Sequence, residues 1–141
     1  SGMVRIMEAT DRLFILIDRC SNIDEVKNQF PDLDFLTYFY SIIGFYRIPT
    51  SCIVECVYMD KNEYFDIIDG KVSPNRNQVL QLANAVRLDI KKTNFLLSLA
   101  NHSILDPKNT RDSLIIFSIK NHYSLEQVNY ILSNCHLQNI K

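Results

Sequence analysis

The chain has no tryptophan, only three glycines and only four prolines in 141 residues. So few glycines exclude most nucleotide-binding loops, which need a flexible backbone close to the phosphates. No apolar run approaches the roughly 18 to 20 residues that cross a bilayer. The longest, Leu13-Phe14-Ile15-Leu16-Ile17, has five members. Apolar-polar alternation, the mark of a half-buried strand, is almost absent. Charge of one sign is absent too, since 15 basic and 16 acidic side chains leave a formal net charge of −1. Bulk electrostatics therefore do not draw this chain to nucleic acid. There is no nucleophile-base-acid arrangement and no HExxH pattern, so neither an enzyme nor a cofactor is expected.

Four cysteines in a short chain permit two disulfides, but reduced thiols are the expectation for a cytoplasmic protein. Cys52 and Cys56 lie one helical turn apart, and with His102 or His136 they make a conceivable metal set. CxxxC without a second compact pair is a weak zinc pattern, so buried apolar thiols and no metal are expected. His102, His122 and His136 are read as surface or cap residues. Ser1-Gly2 ahead of Met3 reads as an expression-tag scar, and no signal peptide follows it. A cytoplasmic location without membrane contact is the expectation.

What the chain does have is 47% apolar residues at three-and-four spacing, which predicts an all-α fold. A first helix is placed from Thr10-Asp11 to Cys20, then a short turn over Ile23 to Phe30 that Pro31 closes. From Asp34, the residues Phe35, Leu36, Phe39, Ile42, Ile43 and Tyr46 form one apolar helical face, which Pro49 ends. Thr50 or Ser51 opens the next helix, carrying Ile53, Val54 and Val57. Asp60 caps a short helix from Lys61 to Asp69, with Glu63 placed to complete a capping box and Gly70 to close it. Tyr64, Phe65, Ile67 and Ile68 are read as its core side. Ser73 then caps, and Pro74 starts, a helix with Val79, Leu82, Ala83 and Val86 inward. Asp106-Pro107 starts a later helix through Leu114, Ile115, Phe117 and Ile119. Residues 89–98 and 124–133 echo one another at an offset of 35, each a capping residue followed by an amphipathic helix. Two copies are too few for a solenoid, so a bundle extending the central domain is expected. The domain reading is 1–33 for the tag scar and an N-terminal helical segment, 34–100 for the central domain, and 101–141 for a C-terminal helical extension packed on it.

The ordered signals Thr50-Ser51-Cys52-Ile53-Val54, Met59-Asp60-Lys61-Asn62-Glu63, Ile67-Ile68-Asp69-Gly70-Lys71 with Pro74, and the LQLANAVRL run from Leu80 resemble the Cro/lambda-repressor type helix-turn-helix, or XRE, family of bacteria and phage. The C-terminal helices resemble an extension found in some bacterial members. The resemblance covers roughly residues 35–141. It implies a five-helix lambda-repressor-like domain whose helix from Lys61 to Asp69 enters the major groove of double-stranded DNA, in a transcriptional regulator that acts as a homodimer. Carried over by position, Lys61, Asn62, Glu63 and Asp66 would face bases, while Thr50, Ser51, Lys71, Asn75 and Arg76 would face phosphates. Residues 61–92 carry six basic and four acidic side chains, the one segment of positive bias near that helix.

This chain departs from the family pattern at several points. Glu63, Asp66 and Asp69 set three carboxylates on or beside the reading face, Arg47 stands where a glycine is usual, and Val57-Tyr58 replace the small residue and glycine of the turn. A second reading therefore stands beside the regulator: a degenerate helix-turn-helix module that holds a protein partner without binding DNA. The two part on one property. If Lys61, Lys71, Arg76 and Arg87 share a face with Glu63 paired away, the regulator gains; if the carboxylates dominate, the adaptor does.

Overall fold

Capping side chains set where most helices begin. The computed structural model describes the backbone of residues 2–141 and the side chains of residues 9–141. Ser1 of the expected tag scar lies outside the described residues. Among those residues the chain is all-helical: α1 (Gly2–Asp18), α2 (Ile23–Gln29), α3 (Phe35–Tyr46), α4 (Thr50–Cys56), α5 (Lys61–Ile68), α6 (Arg76–Ala85), α7 (Ile90–Leu99), α8 (Thr110–Lys120) and α9 (Leu125–Asn134). Asn22, Asp34, Asp60, Asn75, Asp89, Asn109 and Ser124 each accept an N–H of the first turn that follows. Each such cap contributes about 1 kcal/mol. Among the described residues no helix is long and apolar enough to cross a membrane.

Several boundaries differ from the sequence expectation. α1 begins at Gly2, well before Thr10. Where a turn over Ile23 to Phe30 is expected, Ile23–Gln29 is a helix: Asn22 caps it, Asp24 and Glu25 sit at its positive end, Lys27 at its negative end, and Val26 is fully buried. The helix after Gly70 starts at Arg76, not at Pro74, because Asn75 and Gln78 satisfy each other's backbone N–H in a capping box. Pro74 is buried just outside it, its carbonyl 2.8 Å from His102 Nε2. At α5 only the Asp60 half of the expected box forms, and Glu63 Oε2 instead accepts from Gln78 Nε2 at 3.5 Å.

Six helices end in one way. Arg47, Gly70, Arg87, Asn101, His122 and His136 turn left-handed, with φ between 53° and 76°. Each donates its N–H three residues back, and the next residue donates five back, as Leu88 does to Ala83 and Tyr123 to Ser118. These pairs are Schellman closures. The following Ile48, Leu88, Tyr123 and Leu137 pack on the core and help hold the closures shut. Only Gly70 among the six is the residue that takes this conformation without strain.

The core joins all parts of the chain. Ile17, Tyr38, Phe39, Ile42, Ile53, Ile67, Leu82, Leu96, Leu97 and Leu132 are at most 1% exposed. Each such burial stabilises by roughly 1.5 to 3 kcal/mol before entropy is charged. α1 lies along α3, with the Phe14 and Phe45 rings stacked at 4.2 Å. Gly44 permits that approach, since a Cβ there would stand 3.1 Å from Thr10 Cγ2. α6 packs on α4, α7 and α9.

The internal echo has a structural content beyond its two helices. Asn94 of α7 accepts the Leu105 N–H at 2.9 Å, and Asn129 of α9 accepts the Ile140 N–H at 2.7 Å. Both pairs keep the offset of 35, and Leu105 and Ile140 are both buried. Each helix thus turns left-handed, then returns a buried aliphatic residue tied to its own asparagine. The second return is tied to the rest of the fold: Arg111 donates to the carbonyls of Gln138 at 2.8 Å and Asn139 at 3.0 Å, and Asn77 of α6 donates to that of Lys141 at 3.4 Å.

Candidate nucleic-acid interface

α4 and α5 are joined by residues 57–60, and this connection owes its shape to a side chain of another helix. Gln81 of α6 is 1% exposed, and its Oε1 accepts the backbone N–H of Tyr58 at 2.9 Å and of Met59 at 3.2 Å. Two donors that would otherwise be unsatisfied are thereby paired. Met59 is buried at 6%, while Tyr58 stays exposed. α5 is held from below by Tyr64 and Ile67, at 2% and 1% exposure, and its last carbonyl, that of Ile68, accepts the Tyr40 hydroxyl of α3. Burial, with the Tyr40 phenol nearby, raises the Tyr64 pKa above its ordinary value. Gly70, at φ 76°, closes the helix: Gly70 donates to Ile67 and Lys71 to Asp66.

The outward side of α5 follows from this anchoring. Lys61, Asn62 and Glu63 in its first turn are exposed, and Asp66 is half-buried. Phe65, expected in the core, is 41% exposed, because Tyr64, Ile67 and Ile68 occupy the inner arc and a residue 100° round from Tyr64 cannot join them. Its ring lies edge-on to Tyr64 with centroids 5.4 Å apart. Thr50 and Ser51 are the first residues of α4 and are exposed, and Lys71 is exposed beyond α5. Asn75 is exposed too, with its side-chain oxygen held by the Gln78 N–H at 2.8 Å.

Arg76 does not join them. Its guanidinium faces the C-terminal helices and makes a two-pronged pair with Asp112 of α8, 2.9 Å to each carboxylate oxygen. It also donates to the carbonyls of Ser103 at 3.1 Å and Ile104 at 3.4 Å. Asp112 is 5% exposed and takes the Asp106 N–H as well. Burial pushes its carboxyl up, but the Arg76 pair, the Asp106 N–H and Arg111 together hold it below the ordinary 3.8. Arg76 is thus a bolt between α6 and α8. Arg87 lies at the opposite end of α6, lining a 530 Å³ cleft with Glu55, Cys56, Tyr123 and Glu126.

From Asp60 to Lys71 the side chains are two ammoniums, Lys61 and Lys71, against four carboxylates, Asp60, Glu63, Asp66 and Asp69. None of those carboxylates is in an ion pair with Arg76 or Arg87, and the contact that Glu63 makes is to an amide. The cysteines also differ from expectation: Cys20 is buried, whereas Cys52, Cys56 and Cys135 are exposed, and all four are free thiols. Sequence reading missed Gln81, whose partners lie over 20 residues away, and Phe65, whose position the helical spacing around Tyr64 did contain. Comparison of the chain with protein-family models, curated proteins and solved structures finds no match in any of the three.

Proposed function

We propose that α3 to α7 are a lambda-repressor-like, XRE-type unit with α4 and α5 as its helix-turn-helix pair, and that this unit works as an interaction adaptor, docking the α5 face on a protein rather than in DNA. One observation carries the choice: four carboxylates against two ammoniums between Asp60 and Lys71, with Arg76 engaged by Asp112. Non-specific DNA affinity arises from cations that displace phosphate counterions, and a face with a local charge of −2 repels the polyanion instead. The same charge, around the exposed Phe65 ring, suits a partner surface with Lys or Arg groups about an apolar socket. A second copy pairing two-fold through this face would set the same carboxylates against themselves.

The DNA-binding regulator is the second reading, favoured by the exposure of Thr50, Ser51, Lys61, Asn62 and Lys71 around a first turn of α5 that presents Asn62 outward. The test sets the readings side by side. Peptides selected from a random displayed library on the immobilised protein should be basic with an aromatic or aliphatic anchor, and should lose binding to Phe65→Ala and to Asp66→Lys/Asp69→Lys. A randomised duplex pool, measured by fluorescence polarisation at two salt concentrations, should show no sequence preference. Saturable duplex binding that Asn62→Ala relaxes at one base position, and that Lys71→Ala weakens with a flatter salt dependence, would establish the regulator and overturn the adaptor.

A further inference from the structure

Two thiols remain unused by either reading. Cys52 and Cys56 are both exposed on α4, four residues apart on one side of the helix. Ile53, fully buried between them in sequence, fixes which side of α4 faces inward. Residues so spaced have Cβ atoms about 5 to 6 Å apart, a gap that two metal–sulfur bonds of about 2.3 Å can span. From Ile48 to Asp60 the chain holds no Lys or Arg but two carboxylates, Glu55 and Asp60, and in the cleft that Cys56 lines the carboxylates of Glu55 and Glu126 stand with the guanidinium of Arg87. The last carbonyls of α4 beside Cys56 add negative partial charge.

We propose that Cys52 and Cys56 form a two-thiolate site for a soft monovalent cation of the copper(I) class. Soft thiolates select such ions, and a closed-shell copper(I) centre is satisfied by two ligands in line. Zinc needs four, and among the described residues no group of three or more His, Cys, Asp or Glu side chains is placed to hold a metal. On binding, each thiol releases its proton to solvent as its sulfur–copper bond forms, with no change of oxidation state. The bridge would staple a seven-residue helix that lacks a side-chain N-cap.

The test is an anaerobic titration of the full chain with copper(I) against a chromophoric copper(I) chelator, in the presence of a non-thiol reductant. The expected result is one equivalent taken from the chelator by the wild type and by Cys135→Ser, and loss of that equivalent in Cys52→Ser and in Cys56→Ser. Both serines lie at exposed positions, and unchanged far-ultraviolet circular dichroism establishes that the variants are folded. A wild type that takes no copper from the chelator, or a Cys52→Ser/Cys56→Ser protein that still takes the equivalent, overturns the site. Phenylarsine oxide gives an independent reading of the geometry, because it condenses with two neighbouring thiols and releases one water. Intact mass should show that cross-bridge in the wild type and in Cys135→Ser but not in Cys52→Ser or Cys56→Ser, and its absence from the wild type would also overturn the proposal.

Discussion

Replacing Arg76 with Ala removes the partner of a carboxylate that has almost no access to water. Asp112 is 5% exposed, and both of its oxygens accept from Arg76 at 2.9 Å. Breaking a buried pair by deleting one member costs roughly 3 to 5 kcal/mol, since the remaining charge is stranded. The low end applies, because the Arg76 side chain is itself 26% exposed and the Asp106 N–H remains on Asp112 at 3.0 Å. A loss of about 3 kcal/mol is therefore expected, close to 10 °C in Tm for a chain of this size. Equilibrium unfolding in urea reads it as a lower midpoint at unchanged slope. Adding Asp112→Asn to Arg76→Ala should restore part of the loss, because the stranded charge is then gone. A loss under about 1 kcal/mol, or no recovery in the double variant, would refute the reasoning. The outcome also bears on function: a phosphate contact would cost binding and leave the midpoint in place.

Gln81→Leu keeps the volume and removes the acceptor for Tyr58 and Met59, so unfolding should show a loss of about 2 kcal/mol, with faster amide exchange at both positions. His122→Gly should stabilise by about 0.5 to 1 kcal/mol, since the left-handed strain at φ 56° exceeds the entropy that glycine adds; a destabilised variant would contradict this account of the closures. Asp112 and Asp34 both titrate below 3.8 in the fold, Asp112 despite its burial and Asp34 through the Thr37 hydroxyl and N–H. Their stabilisation is present above the unfolded value and is lost as pH falls through the lowered ones, so urea midpoints should drop below about pH 4, and Asp112→Asn should flatten that limb.

The sequence was legible wherever structure is local. Asp34 starts α3, Asp60 starts α5 and Gly70 closes it, and Asp89 and Ser124 start the echoed helices, whereas α3 ends at the left-handed Arg47, ahead of Pro49. These are signals a few residues wide, carried by side chains with one strong conformational preference. α2 escaped because its inward side offers little beyond Ile23 and Val26, although Asn22 with Asp24 and Glu25 announced a helix start. Ser73-Pro74 is the more conspicuous local start signal, and the helix starts with Asn75 as its cap because of the return bond from Gln78. At the candidate interface, exposure of Lys61, Asn62, Glu63, Thr50, Ser51, Lys71 and Asn75 follows from polarity alone. The fate of Arg76 could not be read that way, since its partner lies 36 residues on, in a helix whose placement no local pattern fixes. Five of the six left-handed closures were hidden for a related reason, as Arg47, Arg87, Asn101, His122 and His136 carry no glycine to mark them.

Helix α6 behaves as a spindle with fittings at three angles. Arg76 reaches α8, Gln81 reaches the connection ahead of α5, and the Asn84 amide donates to the Tyr123 carbonyl at 2.8 Å. At about 100° of rotation per residue, these three point along bearings of roughly 0°, 140° and 80° from Arg76. Any deletion or insertion between Arg76 and Gln81 would swing one fitting out of its socket while the others stayed home. The length of this stretch is therefore more constrained than the identity of its outward residues.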